Sequence, residues 1–180
     1  PLFAVAKKAP LASKLTDLDA RLSRGSKVAE LSKSKVESVQ RALPAYYLRS
    51  VDELGSVSDL LLIHWPPADA EVEATVERLL RAGEQGMAKH LGVSNFSPRL
   101  MRRAQAVAAG KLICNQVEFH PLIDQSAVLA TAKELGMVLT AYCPIARGKA
   151  MAEPVVQDIA ARHGRPASEI VLRWIIQQGV

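Results

Sequence analysis

From residue 51 onward the apolar positions arrive in two alternating rhythms. Short unbroken runs, Leu60 to Trp65, Lys89 to Ser94, Leu112 to Phe119 and Met137 to Tyr142, read as strands buried on both faces. Between them the apolar residues fall at helical spacing. Val72, Val76, Leu79 and Leu80 mark one face of a helix that ends near Gly83. Ser97-Pro98 opens a second helix with an N-cap residue and a proline at its first position, and Gly110 closes it. Asp124 to Leu135 is a third, stopped by Gly136. Pro154 to His163 and Pro166 to Gln178 form a broken helical pair closed by Gly164 and Gly179. This alternation predicts βαβ units and a parallel sheet, with another strand due where the chain ends at Val180.

The first fifty residues follow neither rhythm cleanly. Leu2 to Ala6 and Leu11 to Leu15 are candidate strands, Leu22 to Lys35 is rich in serine and lysine, and Val36 to Leu43 has a helical pattern that Pro44 interrupts.

Composition narrows the picture. With 180 residues, 49% hydrophobic and 23% charged, the chain is expected to be a single soluble domain over residues 1–180, irregular in 1–50 and regular in 51–180. No apolar run reaches the ~18 residues that span a bilayer, and Pro1-Leu2-Phe3-Ala4 does not open a signal peptide, so a cytoplasmic protein without a membrane partner is expected. Cys114 and Cys143 each sit in an apolar run and are expected as reduced thiols.

The net charge of +5 raises the question of nucleic acid. Residues 1–50 hold 10 Lys+Arg against 4 Asp+Glu, whereas 51–180 hold 13 against 14, so the excess is entirely N-terminal. No aromatic residues interleave with those lysines to stack bases, and a solvated basic face is the reading adopted, with no nucleic-acid partner.

Motif absences restrict the chemistry further. No Gly-x-Gly-x-x-Gly follows a strand and no Gly-x-x-x-x-Gly-Lys occurs, which leaves out a Rossmann site and a P-loop. His64, His90, His120 and His163 occur singly, so no metal site is expected.

What remains is a row of polar residues at successive strand ends: His64 and Trp65, then Ser94 and Asn95, then Asn115, Gln116 and Glu118, then Tyr142. Each alone has a plainer reading: a core histidine bonded to backbone, an amide capping a turn, a buried aromatic. Four consecutive strands ending this way favour a site in which each strand delivers one or two side chains to a shared mouth, as barrel enzymes do.

The segments Asp59 to Pro67, Gly92 to Phe96, Asn115 to Pro121, Tyr142 to Gly148 and Pro166 to Gly179 together resemble the aldo-keto reductases, in the same order and at similar spacing. The resemblance implies a (β/α)8 barrel that reduces an aldehyde or ketone with NADPH, NADH being left open, and that holds the nicotinamide without a Rossmann fold. By resemblance His64 orients the substrate carbonyl and Trp65 lines the substrate pocket. Ser94, Asn95 and Gln116 bond the nicotinamide carboxamide, and Tyr142 stacks on its ring. Cys143, Ile145 and Arg147 lie in a loop along the pyrophosphate, with Cys143 standing where many members carry serine.

The family's proton-donating tyrosine and its aspartate come from an Asp-Thr-Ala…Tyr-Gly stretch that this sequence does not contain; Tyr46 and Tyr47 stand in a different context. The active-site lysine is matched best by Lys14 in Ala12-Ser13-Lys14, with Lys7 and Lys8 as competitors. The family's Pro-Lys-Ser turn for the adenosine phosphate would begin beyond Val180. A closed eight-stranded barrel takes about 250 residues and at least about 200, so this chain is expected to be part of a longer protein. A monomer or weak homo-oligomer acting on a small carbonyl substrate is the resulting expectation; a cofactor-binding regulatory or inactive barrel without turnover is the alternative.

Overall fold

The computed structural model describes the backbone of residues 3–6 and, in full, residues 57–180. Among the described residues five strands form one sheet in the order β1 to β5. They are β1 (Phe3–Ala6), β2 (Ser58–Ile63), β3 (Ala88–Ser94), β4 (Leu112–Glu118) and β5 (Val138–Tyr142). Strands β2 to β5 pair in parallel, each with the next. The helices between them are α1 (Val72–Glu84), α2 (Pro98–Val107) and α3 (Ser126–Glu134); α4 (Lys149–Ala152), α5 (Pro154–His163) and α6 (Ala167–Gln177) follow β5.

The predicted alternation of strand and helix is therefore present from β2 onward, with shifted ends. The strand expected over Leu60 to Trp65 is Ser58–Ile63, so His64 and Trp65 lie in the loop just past it. Pro66 and Pro67 cannot donate to a ladder, and Pro66 keeps the residue before it out of helical geometry, so the chain leaves the sheet there. Ser97 occupies the N-cap of α2 with extended backbone, but its side chain makes no capping bond.

The strand foreseen near Leu2 is β1, and it departs from an all-parallel arrangement. Phe3 lies opposite Ile63 and Ala6 opposite Leu60, so β1 runs antiparallel to β2 and leaves the sheet at the end away from His64. It occupies the outer hydrogen-bonding edge of β2, which otherwise exposes a row of unpaired backbone groups. The strand expected over Leu11 to Leu15 lies outside the described residues.

Alternation along each strand sorts its side chains onto two faces. Leu61, Ile63, Leu91, Val93, Val117 and Leu139 pack with Val72, Val76, Leu79, Met101, Ala104 and Ala132 of the helices in one core. The other face carries Leu62, Gly92 and Cys114. A Cβ on Gly92 would lie 2.7 Å from Leu62 Cδ2, 2.7 Å from Cys114 Sγ and 2.9 Å from the Cys114 carbonyl oxygen, so only glycine lets the three strands come this close.

One irregularity decides which residues of β4 share that face. Between Leu91 and Val93 the partner strand advances three residues, from Leu112 to Asn115, where β3 advances two. The extra residue keeps both Leu112 and Asn115 on the helix side, and it turns Gln116 and Glu118 to the opposite face, as a bulge next to a site does.

Three arginine–carboxylate pairs tie the helix layer together. From α2, Arg99 forks onto Asp69 at 2.6 and 3.1 Å, and Arg103 forks onto Glu73 of α1 with both bonds at 2.8 Å. Arg102 holds Glu134 of α3 at 2.7 and 3.0 Å. The Arg99 and Arg102 pairs are exposed and the Arg103 pair is part-buried, so they fix helix orientation more than they add stability. Beneath them the buried Gln105 reaches from α2 to the start of β4: its amide nitrogen donates to the Leu112 carbonyl at 3.1 Å, and its oxygen accepts from the Leu112 N–H at 3.2 Å.

Candidate active site

By alternation from Leu62, Gly92 and the β4 bulge, the side chains of Ser94, Gln116, Glu118 and Tyr142 emerge on the face away from the helices, at the carboxyl ends of β3, β4 and β5. His64 follows β2 at the same end of the sheet. The four consecutive strand ends picked out in the sequence do converge.

A chain of hydrogen bonds joins them. Tyr142 Oη donates to Asn95 Oδ1 at 2.9 Å. Asn95 Nδ2 donates to the His64 carbonyl oxygen at 3.0 Å and to Ser94 Oγ at 3.1 Å. Ser94 Oγ donates onward to the Gln116 carbonyl oxygen at 2.7 Å, and the Asn95 N–H donates to that same oxygen at 2.9 Å. One asparagine therefore ties β2, β3 and β5 together. Its backbone φ of 64° lies in the left-handed region, which asparagine tolerates better than other non-glycine residues.

The donors of Ser94 and Asn95 are consequently engaged inside the protein. Both hydrogens of the Asn95 amide and the single hydrogen of Ser94 have protein acceptors, leaving one lone pair on Asn95 Oδ1 and one on Ser94 Oγ. The Gln116 amide is half-buried and, among the described residues, its side chain has no hydrogen-bond partner. Neither ring nitrogen of His64 has one there either, and the indole of Trp65, 55% exposed, sits beside it with ring centroids 6.1 Å apart. The Tyr142 hydroxyl is held above its ordinary pKa, first by burial and then by the negative charge of Glu118, so it stays a donor to Asn95.

The chain is similar to known proteins. A profile described as the aldo/keto reductase family matches residues 26–180. A methylglyoxal reductase DkgB from Yersinia pestis is 37% identical over 160 residues, covering 84% of this chain and 56% of that protein. The DkgB of Salmonella typhimurium is 40% identical over 124 residues, 67% of this chain and 46% of its own length. The solved structure of an aldo/keto reductase from Brucella melitensis superposes with a TM-score of 0.69 at 31% identity, over 77% of this chain and 53% of that one. The chain belongs to the aldo/keto reductase family. Its fold is that of the (β/α)8 barrel, of which β2 to β5 are four consecutive parallel strands. The chain spans about half the length of the curated relatives it matches.

The aldo/keto reductase segment after β5 is the most strained stretch described. Cys143, Ala146 and Arg147 have φ of 53°, 51° and 54°, and Gly148 follows at 94°. Non-glycine residues in this region cost about 1–3 kcal/mol each and persist where the surroundings hold them, often at ligand clamps. Here the Ala146 N–H donates to the Cys143 carbonyl at 2.8 Å and the Gly148 N–H to that of Ile145 at 2.9 Å. Cys143 and Ile145 are half-buried and Arg147 is exposed. Cys143 and Cys114 are both free thiols, as expected.

Lys14, with its competitors Lys7 and Lys8, and Tyr46 and Tyr47 lie outside the described residues. Two residues stand behind the candidate site, Asn115 from the strand-end row and His120 from beyond it. Asn115, fully buried on the helix side, donates from Nδ2 to the Phe96 carbonyl at 2.9 Å and accepts the Phe96 N–H at 3.3 Å, locking the turn that carries Asn95. His120 donates from Nε2 to Glu118 at 3.1 Å while its Nδ1 accepts the Leu122 N–H at 3.3 Å. The signal for both is the run Asn115-Gln116-Val117-Glu118-Phe119-His120, too polar for a strand interior with no task.

Proposed function

We propose that this chain carries the nicotinamide-binding and carbonyl-orienting part of an NAD(P)H-dependent carbonyl reductase, with NADPH as cofactor and a small aldehyde or ketone as substrate. The observation that carries the reading is the hydrogen-bonded belt from Tyr142 through Asn95 to His64, Ser94 and Gln116. Family membership and relatives named as methylglyoxal reductases support it.

The leftover valences fit a nicotinamide carboxamide. Asn95 Oδ1 and Ser94 Oγ each retain an acceptor lone pair, which suits an amide NH2, and the Gln116 amide supplies the donor that an amide carbonyl needs. The belt holds the Tyr142 hydroxyl in the ring plane and leaves a ring face for stacking. When bound, the reduced cofactor supplies hydride to the carbonyl carbon. His64, with neither ring nitrogen otherwise engaged among the described residues, donates to the carbonyl oxygen where negative charge develops. Trp65 forms an apolar wall beside it. Cys143, Ile145 and Arg147 border the phosphates, Arg147 as the charged member and Cys143 as a weak donor. Lys14 keeps the role that the resemblance gives it.

The full-length protein is expected to consume NADPH on addition of methylglyoxal. His64→Ala should lower kcat about 10²- to 10³-fold, the cost of removing one donor to a developing oxyanion, with cofactor affinity unchanged. Tyr142→Ala should weaken cofactor binding about 2- to 10-fold through lost stacking. A protein that turns over no carbonyl compound while binding NADPH would overturn the reductase in favour of a binding-only barrel.

A further inference from the structure

Glu118 and His120 have no part in the reaction just described, yet they form a built arrangement at its edge. Glu118 is the register partner of Tyr142 on the adjacent parallel strand, ~4.8 Å away at the usual strand spacing, and the two side chains share the face away from the helices. The carboxylate is anchored from below. His120, only 5% exposed, donates from Nε2 to Glu118 Oε1 at 3.1 Å, and its Nδ1 accepts the Leu122 N–H at 3.3 Å. With one ring nitrogen donating and the other accepting, the imidazole is the neutral tautomer. Among the described residues no lysine or arginine pairs with the carboxylate.

Resting on the carbonyl-reductase reading above, we propose that Glu118, held by His120, tunes the site toward the oxidised, positively charged nicotinamide. A nicotinamide ring stacked on Tyr142 would lie beside this carboxylate. The reduced ring is neutral; loss of hydride, with both electrons of the breaking C–H bond passing to the carbonyl carbon, leaves the ring cationic. A fixed negative charge a few ångströms away favours the cation over the neutral ring, and it favours equally the transition state in which that positive charge is developing. Glu118 is thereby a selectivity residue for the cofactor's redox form, acting through its field without contact to the reacting atoms. After burial, the same charge contributes to holding the Tyr142 hydroxyl above its ordinary pKa, which supports a field that reaches this ring.

The test is calorimetric titration of the full-length protein with NADP+ and with NADPH separately, comparing wild type with Glu118→Gln, which keeps an oxygen to accept from His120. The expected result is a loss of NADP+ affinity of about 3- to 10-fold, the range for a unit charge several ångströms away at a half-exposed site, with NADPH affinity within about 2-fold. If the two affinities move together, or neither moves, the proposal is overturned. Should Glu118→Gln fail to fold by circular dichroism, Glu118→Thr, which also removes the charge and suits a strand, should shift the same ratio in the same direction, and an unchanged ratio there also overturns it. A wild type that binds neither form removes the carbonyl-reductase reading itself, an outcome distinct from the loss of selectivity.

Discussion

Asn115→Leu separates two physical effects that oppose each other at one site. The side chain is fully buried and bonds the Phe96 C=O at 2.9 Å and the Phe96 N–H at 3.3 Å. Leucine is close in size, so no large cavity opens. If apolar burial decided the outcome, the variant would be more stable by about 1.5–3 kcal/mol. Against this, two backbone groups lose their partner away from water, at about 1–3 kcal/mol each, or about 2–6 kcal/mol together. The orphaned pair is the larger quantity, and the expected net result is a loss of about 1–3 kcal/mol. Urea unfolding of the full-length protein, followed by circular dichroism, reads this as a lower midpoint at unchanged slope. Because Phe96 follows the left-handed Asn95, nicotinamide affinity should fall as well. An Asn115→Leu protein of equal or greater stability with the same slope would refute the reasoning, since it would mean that Phe96 finds other partners at no cost.

Three further outcomes are expected. Gly92→Ala should destabilise by about 1–3 kcal/mol in the same unfolding assay, because its Cβ would meet a backbone oxygen at 2.9 Å as well as two side chains at 2.7 Å; an unchanged midpoint would mean that the three strands separate freely. Asp69, Glu73 and Glu134 have their pKa values lowered, chiefly by hydrogen bonds from Arg99, Arg103 and Arg102 respectively. A lowered folded-state pKa means that their contribution is present above the unfolded-state pKa, near 4, and is lost as pH falls through the folded-state values. Replacing all three by their amides should flatten the acid limb of a stability profile by lowering stability near neutrality and leaving it unchanged below the folded-state pKa values; an unchanged profile would mean that the pairs only orient the helices. Burial raises the Cys114 thiol to about 11, so a thiol reagent near neutral pH should modify Cys143 first, as mass spectrometry of the peptides would show; faster reaction at Cys114 would contradict its burial.

The linear sequence determined the fold class and the row of strand ends, because both depend on local chemistry. Unbroken apolar runs such as Leu60 to Ile63 suit only a strand covered on both sides, helical spacing through Val72, Val76 and Leu79 suits only an amphipathic helix, and proline and glycine set the ends. His64, Asn95, Gln116 and Tyr142 were legible as a candidate site for the same reason, since each is a polar residue closing one of four consecutive buried strands. The tertiary structure decided what these residues do to one another. No local pattern shows that the donors of Asn95 and Ser94 are taken up by backbone oxygens from β2 and β4, because those partners are 31 and 22 residues away. Nor does it show the extra residue in β4 that turns Gln116 and Glu118 to the face away from the helices, since a bulge exists only relative to a neighbouring strand. The antiparallel course of β1 and the support that Asn115 and His120 give from behind the site belong to the same class. Periodicity records which side of an element is buried, while pairing register and side-chain partnership arise only when separate segments meet.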